Sequence, residues 1–191
     1  MIRIGILGDI GSGKSYVSKI FGYPVFNADE EVARLYKKDK KIFIKLKKKL
    51  PNFIHKFPIQ KNEISKAILS NKVNLKKIIK IIHIEVRKKM NIFLKKKKSK
   101  KIVILDIPLL LENKINKKTD ILIFVKSKKK DILKRLRKRK NFNYLLFKKF
   151  RKLQLPLDYK MQRSHFIINN DFKAQTIKTY VKILKKKIIK K

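Results

Sequence analysis

Near its amino terminus the chain reads Gly8-Asp9-Ile10-Gly11-Ser12-Gly13-Lys14-Ser15. This string is a complete G-x-x-x-x-G-K-[ST] motif, in which glycines let the backbone wrap a phosphate without side-chain clashes. An apolar run of strand length, residues 2–7, precedes it, and a helical stretch follows from residue 14, which is the context that the motif requires. The sequence therefore predicts a phosphate-binding loop in which Lys14 reaches the β- and γ-phosphates and the Ser15 hydroxyl ligates Mg²⁺.

Apolar strands alternate with helical stretches along the rest of the chain. The pattern predicts strands at residues 2–7, 23–26, 102–105, 121–125 and 166–168. It predicts helices at residues 14–21, 30–36 with an optional extension to 49, 62–69, 74–94, 127–140 with Ser127 as N-cap, 144–153 and 175–189. Alternation of buried strands with helices is typical of an α/β fold, here a doubly wound, parallel, five-stranded sheet flanked by helices.

The composition excludes several classes of protein. The 191 residues include no Cys, which excludes disulfide scaffolds and thiolate metal sites. The longest apolar stretch, residues 102–111, is interrupted by Asp106 and Pro108 and is too short to span a bilayer. The apolar run at residues 4–7 is shorter than the core of a secretory signal. We therefore expect a cytoplasmic protein without a membrane span.

The formal net charge of +42 predicts nonspecific binding to polyanions through counterion release. However, the chain has 47 Lys against 8 Arg and 30 Ile against 8 Val, a bias that an A+T-rich genome produces through its codons. Dedicated readers of nucleic acid favour Arg, whose planar fork binds bases and phosphates bidentately. We interpret the charge as composition and expect no dedicated nucleic-acid partner, with a nucleic-acid-associated ATPase as an alternative.

Two carboxylates lie where phosphoryl transfer needs them. Asp106 ends the apolar strand at residues 102–105, a place from which a carboxylate can orient Mg²⁺ beside a phosphate loop. Asp29 follows Asn27 and Ala28 after the second predicted strand, and open α/β sheets place ligands at the carboxyl ends of strands. Spacing alone leaves two roles for Asp29, a helix cap or the base that accepts a hydroxyl proton.

Three strings together resemble the dephospho-coenzyme A kinase family. They are the loop at residues 8–15, Asn27-Ala28-Asp29 followed by Ala33-Arg34, and Leu105-Asp106-Ile107-Pro108-Leu109-Leu110-Leu111-Glu112-Asn113. The third string is similar to the family's L-D-x-P-L-L-x-E. Further similarities extend the resemblance over almost the whole chain, at His83, Arg135, Arg139, Gln154, Lys160, Phe166-Ile167-Ile168 and Asn170.

The resemblance implies transfer of the ATP γ-phosphoryl group to the ribose 3′-hydroxyl of dephospho-CoA, the last step of coenzyme A biosynthesis, with Mg²⁺. It implies that Asp29 is the general base, that Lys14 is catalytic, and that Ser15 and Asp106 hold the metal. The implied nucleotide-binding residues are Gly8, Asp9, Ile10, Gly11, Ser12, Gly13, Lys14, Ser15, Tyr16, Arg135, Arg139 and Asn170. The implied acceptor-binding residues are Asp29, Arg34, His83, Arg87, Asp106, Pro108 and Leu109.

The resemblance also implies how the chain is organised. It implies a single P-loop kinase domain of the nucleoside-monophosphate-kinase type, with a core at about residues 1–28, 100–138 and 163–191. A helical acceptor-binding region is expected at about residues 29–98 and a lid at about residues 139–160. We expect a monomer or a small homo-oligomer acting on a small molecule.

Several positions depart from the family pattern. Asp9 stands where the family usually has Gly, which places a carboxylate near a bound triphosphate and should weaken its binding unless the side chain turns away. Other departures are Tyr16, Asn27, Ile84, Tyr144, Leu157 and Phe172, the last of which replaces a Gly. Because lid arginines are missing, we expect an active but slower or less stable enzyme. The alternatives are another P-loop small-molecule kinase, such as a nucleoside monophosphate or shikimate kinase, and a degenerate, noncatalytic descendant.

Overall fold

The structure, a computed structural model, describes residues 1–140 and 142–190. Within these residues the strands are β1 (Ile2–Gly8), β2 (Val25–Asn27), β3 (Ile102–Asp106), β4 (Ile121–Lys126) and β5 (Phe166–Asn169). They pair in parallel in the order β2-β3-β1-β4-β5. The predicted doubly wound, parallel, five-stranded sheet is therefore confirmed.

Helices connect the strands, and those within residues 28–96 form a compact unit of their own. They are α1 (Lys14–Ile20), α2 (Ala28–Lys38), α3 (Lys40–Lys49), α4 (Lys61–Ser70), α5 (Lys72–Lys96), α6 (Lys129–Arg137), α7 (Tyr144–Arg151), α8 (Leu157–Gln162) and α9 (Ala174–Ile189). The chain divides into two compact units, a sheet unit (Met1–Asn27 and Lys97–Lys191) and a helical unit (Ala28–Lys96). No helix among residues 1–140 and 142–190 combines the length and the apolar character that a bilayer crossing requires.

The sheet unit has its core at the central strands. Because helices cover both faces of a parallel sheet, its strands are apolar throughout rather than alternating, and β3 is buried at every position. On one face, Ile4 and Ile6 of β1 pack in a cluster with Val17 of α1 and Ile177 of α9. On the other face, β1 approaches its neighbours so closely that a Cβ at Gly5 would lie 2.5 Å from the Leu110 side chain. This packing fixes the carboxyl end of β1, from which the phosphate loop starts.

The helical unit packs α2, α3 and α4 against the long helix α5. Helix α5 buries an apolar face that includes Leu75, Ile78, Ile82 and Val86. The helix predicted at residues 30–36 is present within α2. Its extension as one continuous helix to residue 49 is wrong, because Asp39 interrupts it. Its backbone is extended and its carboxylate accepts a hydrogen bond from the Ile42 amide at 3.1 Å, which makes it the N-cap of a separate α3.

Other local details also differ from the sequence analysis. Strand β2 includes Asn27, one residue beyond the strand predicted at residues 23–26, and α2 begins directly at Ala28. Ser127 is not a helix cap, since α6 has Lys128 as its N-cap and the Ser127 hydroxyl donates to the Ser12 carbonyl instead. Helix α8 was not anticipated, because its short sequence follows Pro156 and lacks a helical apolar repeat.

Candidate active site

The phosphate loop begins where β1 ends at the centre of the sheet. Gly8 has φ of 143° and Gly11 has φ of 85°, conformations that residues with a Cβ rarely adopt. A Cβ at Gly8 would lie 2.6 Å from the Val125 carbonyl oxygen, and one at Gly11 would lie 3.0 Å from Leu136 of α6. The glycines of the motif therefore serve two needs, the turn itself and close contact with β4 and α6.

Lys14 is buried within this loop, with 8% of its surface exposed. Its ammonium donates to the Gly8 carbonyl at 3.2 Å and to the Asp9 carbonyl at 2.7 Å. These two contacts hold the Lys14 ammonium within the loop, so that its position is set before a phosphate binds. Ser15 follows in the first turn of α1 and is exposed, which leaves its hydroxyl accessible.

The Ser12 carbonyl anchors the loop to the segments that follow β4 and β5. It accepts from the Asn170 side-chain amide at 2.7 Å and from the Ser127 hydroxyl at 3.0 Å. The Asn170 side-chain oxygen, Oδ1, in turn accepts from the Phe172 backbone amide at 2.8 Å. Asn170 thus holds the loop through its amide nitrogen, while its side-chain oxygen is fixed by Phe172. Ser127 is a site residue that the sequence did not assign, and its only signal was its place directly after a buried strand.

The Asp9 carboxylate makes two contacts. One carboxylate oxygen accepts from the Ile10 amide at 2.7 Å, and the other lies 3.8 Å from a guanidinium nitrogen of Arg151. The residue is 6% exposed, so both contacts lie in a largely buried setting. Arg151, on α7, was not singled out by the sequence.

Asp106 and Asn27 meet at the carboxyl edge of the sheet. They are direct partners in the register of β2 and β3, and the Asn27 amide donates to the Asp106 carboxylate at 2.8 Å. Asp106 is 3% exposed. The parallel register therefore brings the predicted site residue Asp106 beside Asn27, which lies far from it in sequence. Asn27, which departs from the family pattern, acts here as a neutral donor that fixes the orientation of the Asp106 carboxylate.

The predicted acceptor-binding residues are divided between the two units. Asp29 lies in the first turn of α2, with Glu30 and Glu31, where negative charge is favourable because of the helix dipole. Arg34 is exposed and pairs with Glu31 at 2.7 Å. The helical unit also carries His83 and Arg87, one turn apart on α5, and the sheet unit carries Asp106, Pro108 and Leu109.

Two predicted nucleotide-binding arginines lie on and after α6. The Arg135 guanidinium stacks over the Phe172 ring at 4.4 Å from its centroid, and Phe172 has a positive φ of 66°. This backbone conformation is the one that favours Gly, which agrees with the family's usual residue at this position. Arg139 follows α6 and is exposed, as is Tyr16 in α1.

The oxygen donors that could hold a metal ion are the Ser15 hydroxyl and the Asp106 carboxylate. Among the described residues there is no cluster of three or more His, Cys, Asp or Glu side chains of the kind that cages a metal. Mg²⁺ does not need such a cage, since it commonly takes one or two protein oxygens together with water and phosphate oxygens. The donor set fits that pattern.

Comparison with known proteins decides the family. A family model described as dephospho-CoA kinase matches residues 2–176. The chain belongs to the dephospho-CoA kinase family. A dephospho-CoA kinase of Wolbachia sp. subsp. Brugia malayi is 33% identical over 184 residues, covering 94% of each chain. One of Bartonella quintana is 34% identical over 171 residues, covering 87% of each.

Solved structures agree with the fold of this dephospho-CoA kinase family member. TT1252 from Thermus thermophilus superposes with a TM-score of 0.76 at 24% identity, over 97% of both chains. The dephospho-CoA kinase from Campylobacter jejuni gives 0.65 at 19% identity, over 97% of this chain and 96% of that one. Family membership makes the chain a nucleotide-binding kinase of coenzyme A biosynthesis that transfers phosphate to an alcohol group.

Proposed function

We propose that ATP is the donor, that Lys14 binds the transferring phosphate, and that Asp29 accepts the proton of the ribose 3′-hydroxyl of dephospho-CoA. The observation that supports the proposal best is the buried Lys14 ammonium, held by the Gly8 and Asp9 carbonyls of the loop. In the reaction, a bond forms between the 3′-oxygen and the γ-phosphorus while the bridging P–O bond to the β-phosphate breaks. CoA and ADP are the products.

The role of the loop is electrostatic. Phosphoryl transfer spreads negative charge over the equatorial and bridging oxygens, and fixed donors that face this charge lower the barrier. The contacts of Lys14 leave its charge in place without reorganisation. Asn170 keeps the loop in this conformation by holding the Ser12 carbonyl. Arg135 and Arg139 are proposed to reach the phosphates from the α6 side, where a guanidinium fork can bind two oxygens.

The role proposed for Asp29 is proton transfer and alignment. A carboxylate that hydrogen bonds to the attacking hydroxyl holds it in line with the γ-phosphorus and accepts its proton as the P–O bond forms. Asp29 shares the first turn of α2 with two further acids, and Glu31 is already engaged by Arg34. Arg34, His83, Arg87, Pro108 and Leu109 are proposed to bind the rest of the acceptor.

Ser15 and Asp106 are proposed to hold Mg²⁺. When bound there, the ion would neutralise charge on the β- and γ-phosphate oxygens. The Asn27 amide contributes by fixing one oxygen of the buried Asp106 carboxylate. The cytoplasmic location expected from the sequence stays a prediction.

The test is an assay of ADP release with dephospho-CoA, a nucleoside monophosphate and shikimate as competing acceptors. We expect turnover with dephospho-CoA, and a kcat about 10²- to 10⁴-fold lower in Asp29→Asn, the usual contribution of a general base. Glu30→Gln is the matched control, because it removes the same charge one residue away in the same turn, and it should keep the wild-type kcat. Phosphorylation of shikimate or a nucleoside monophosphate in preference to dephospho-CoA would overturn the assignment.

A second variant separates the roles of the loop and the base. Lys14→Ala should raise the barrier by several kcal/mol, on the order of 10²- to 10³-fold in rate, because charge stabilisation is lost. Lys19→Ala removes a lysine from the same helix at an exposed position and should leave kcat unchanged. Retained turnover in Lys14→Ala would contradict the proposed role of the loop.

A further inference from the structure

An acidic side chain inside a phosphate loop is unexpected, and the structure shows how Asp9 is accommodated. Its carboxylate, with 8% of the side chain exposed, makes a short hydrogen bond to the Ile10 amide and a longer ion pair, at 3.8 Å, with Arg151. The hydrogen bond is local and remains available whether or not a ligand is present. The ion pair joins the loop to a different element, helix α7.

Arg151 is well placed to leave this pair. Its side chain is 39% exposed, and its guanidinium lies 6.0 Å from the centroid of the Phe147 ring. Phe147 packs with Ile132 and Leu136 of α6, and Ile10 of the loop packs against the same cluster. Helix α7 therefore rests beside the loop through apolar contacts, which do not depend on the ion pair.

The charges of α7 also favour movement of the Arg151 guanidinium from Asp9 to a bound triphosphate. The helix carries Lys148, Lys149 and Arg151 and no acidic residue, so no carboxylate of its own competes for the guanidinium. A triphosphate offers several oxygens and a higher charge than one carboxylate, and Arg can bind two of those oxygens at once. A pair at 3.8 Å is weaker than such a bidentate contact.

We propose that Asp9 holds Arg151 at the phosphate loop in the nucleotide-free chain and releases it to the triphosphate when ATP binds. The inference rests on the proposed function of the loop. Asp9 is then an internal competitor of ATP for one cation. It positions Arg151 beside the loop in advance and lowers the affinity for ATP by the strength of the pair that must be exchanged.

This exchange differs measurably from simple repulsion between Asp9 and the phosphates. If Asp9 only repels ATP, then Asp9→Asn tightens ATP binding by the same factor whether or not Arg151 is present. If Asp9 competes for Arg151, then the gain from Asp9→Asn is larger when Arg151 is present. Asn keeps the size of the side chain and an oxygen that can accept from the Ile10 amide, so the local loop contact is retained.

The experiment is a double-mutant cycle in ATP binding by calorimetry on the full chain, with Mg²⁺ and without acceptor. We expect Asp9→Asn to lower the Kd for ATP in both backgrounds. The factor should be roughly threefold larger in the wild-type background than in Arg151→Gln, the range of a partly exposed ion pair. AMP, which lacks the β- and γ-phosphates, should show no such difference. Lys148→Gln, which removes a charge from an exposed position of the same helix, should leave the gain from Asp9→Asn at its wild-type value.

A second measurement detects the pair directly in the free chain. The effects of Asp9→Asn and Arg151→Gln on Tm should be non-additive without nucleotide and additive with saturating ATP, because the pair is broken in the complex. Equal gains in both backgrounds, or non-additivity that persists with ATP, would overturn the exchange and leave the proposed function intact. Failure of every variant, including wild type, to bind ATP would overturn both.

Discussion

Glu112 and Lys160 form an ion pair of 2.6 Å between Oε1 and Nζ, in which the lysine side chain is 1% exposed. The same carboxylate oxygen accepts from the Leu155 amide at 3.0 Å. Glu112 belongs to the string after β3 and Lys160 to α8. One carboxylate therefore ties α8 and the segment before it to the segment that follows β3, and two residues that the family resemblance noted separately form one contact.

We predict that Glu112→Gln lowers the free energy of unfolding by about 3–5 kcal/mol. The substitution leaves the buried Lys160 ammonium without its counter-charge, and an uncompensated buried charge is strongly destabilising. Urea unfolding at neutral pH measures the effect. Replacing both partners by apolar residues, Glu112→Leu with Lys160→Met, should recover most of the loss, since no buried charge then remains. A loss below about 1 kcal/mol in the single variant would show that the lysine finds solvent or another partner.

We predict that Asn170→Ala raises the KM for ATP about 10- to 100-fold with a smaller change in kcat. The substitution removes the donor to the Ser12 carbonyl, and leaving a buried carbonyl short of a partner costs about 1–3 kcal/mol. Steady-state kinetics against ATP measures the effect. Asn169→Ala is the matched control, because Asn169 is the exposed neighbour whose amide lies 3.5 Å from the Tyr180 hydroxyl. Equal effects of the two substitutions would contradict a positioning role for Asn170.

The fold could be predicted largely from the sequence because its signals are local. A parallel strand that is buried on both faces is apolar at every position, as residues 102–105 show, and the loop at residues 8–15 carries its own backbone requirements in its glycines. Helix ends were less predictable. Asp39 reads as one more polar residue in a charged stretch, and only its extended backbone makes it a cap.

The contacts of the site could be predicted from the sequence only where both partners belong to one known motif. Asp106 was a candidate and Asn27 was noted as a departure from the family pattern, but their pairing depends on the register of β2 with β3, which nothing in either segment specifies. The partnership of Asp9 with Arg151 joins residues that are far apart in sequence, and neither belongs to a motif that names the other. Tertiary packing, rather than residue type, selected these pairs.

We predict that stability falls below about pH 4.5 in part through Glu85. A hydrogen bond from the Lys88 ammonium, with a smaller contribution from Lys45, lowers the pKa of the Glu85 carboxyl below its ordinary value. A lowered pKa in the folded chain means that the unfolded chain binds more protons, so the stabilisation is present above the ordinary pKa and is lost as the pH falls through the lowered one. Because both lysines are more than half exposed, the contribution is below about 1 kcal/mol.

Urea unfolding of wild type and Glu85→Gln at pH 5.5 and at about pH 3.5 measures this contribution. The variant should lose less stability between the two conditions than wild type does. Lys88→Met should act in the same direction, because it removes the main cause of the lowered pKa, and it should add little when combined with Glu85→Gln. An unchanged difference between the two conditions in Glu85→Gln would show that other carboxyls account for the acid sensitivity.

We predict that Gly8→Ala is far more damaging than Gly22→Ala, although both glycines have positive φ, 143° and 69°. Around Gly22 an added Cβ would meet nothing within 4 Å, so that substitution costs only the conformational strain, about 1–2 kcal/mol. At Gly8 the same atom would lie 2.6 Å from the Val125 carbonyl and 2.8 Å from the Ser12 hydroxyl. The loop must therefore move away from β4, which displaces the carbonyl that holds Lys14.

We expect Gly22→Ala to keep the wild-type KM for ATP at reduced stability. We expect Gly8→Ala to lose measurable ATP binding by calorimetry even where circular dichroism shows a folded chain. Normal ATP binding by Gly8→Ala would mean that the loop can accept its ligand in a conformation other than the one described here.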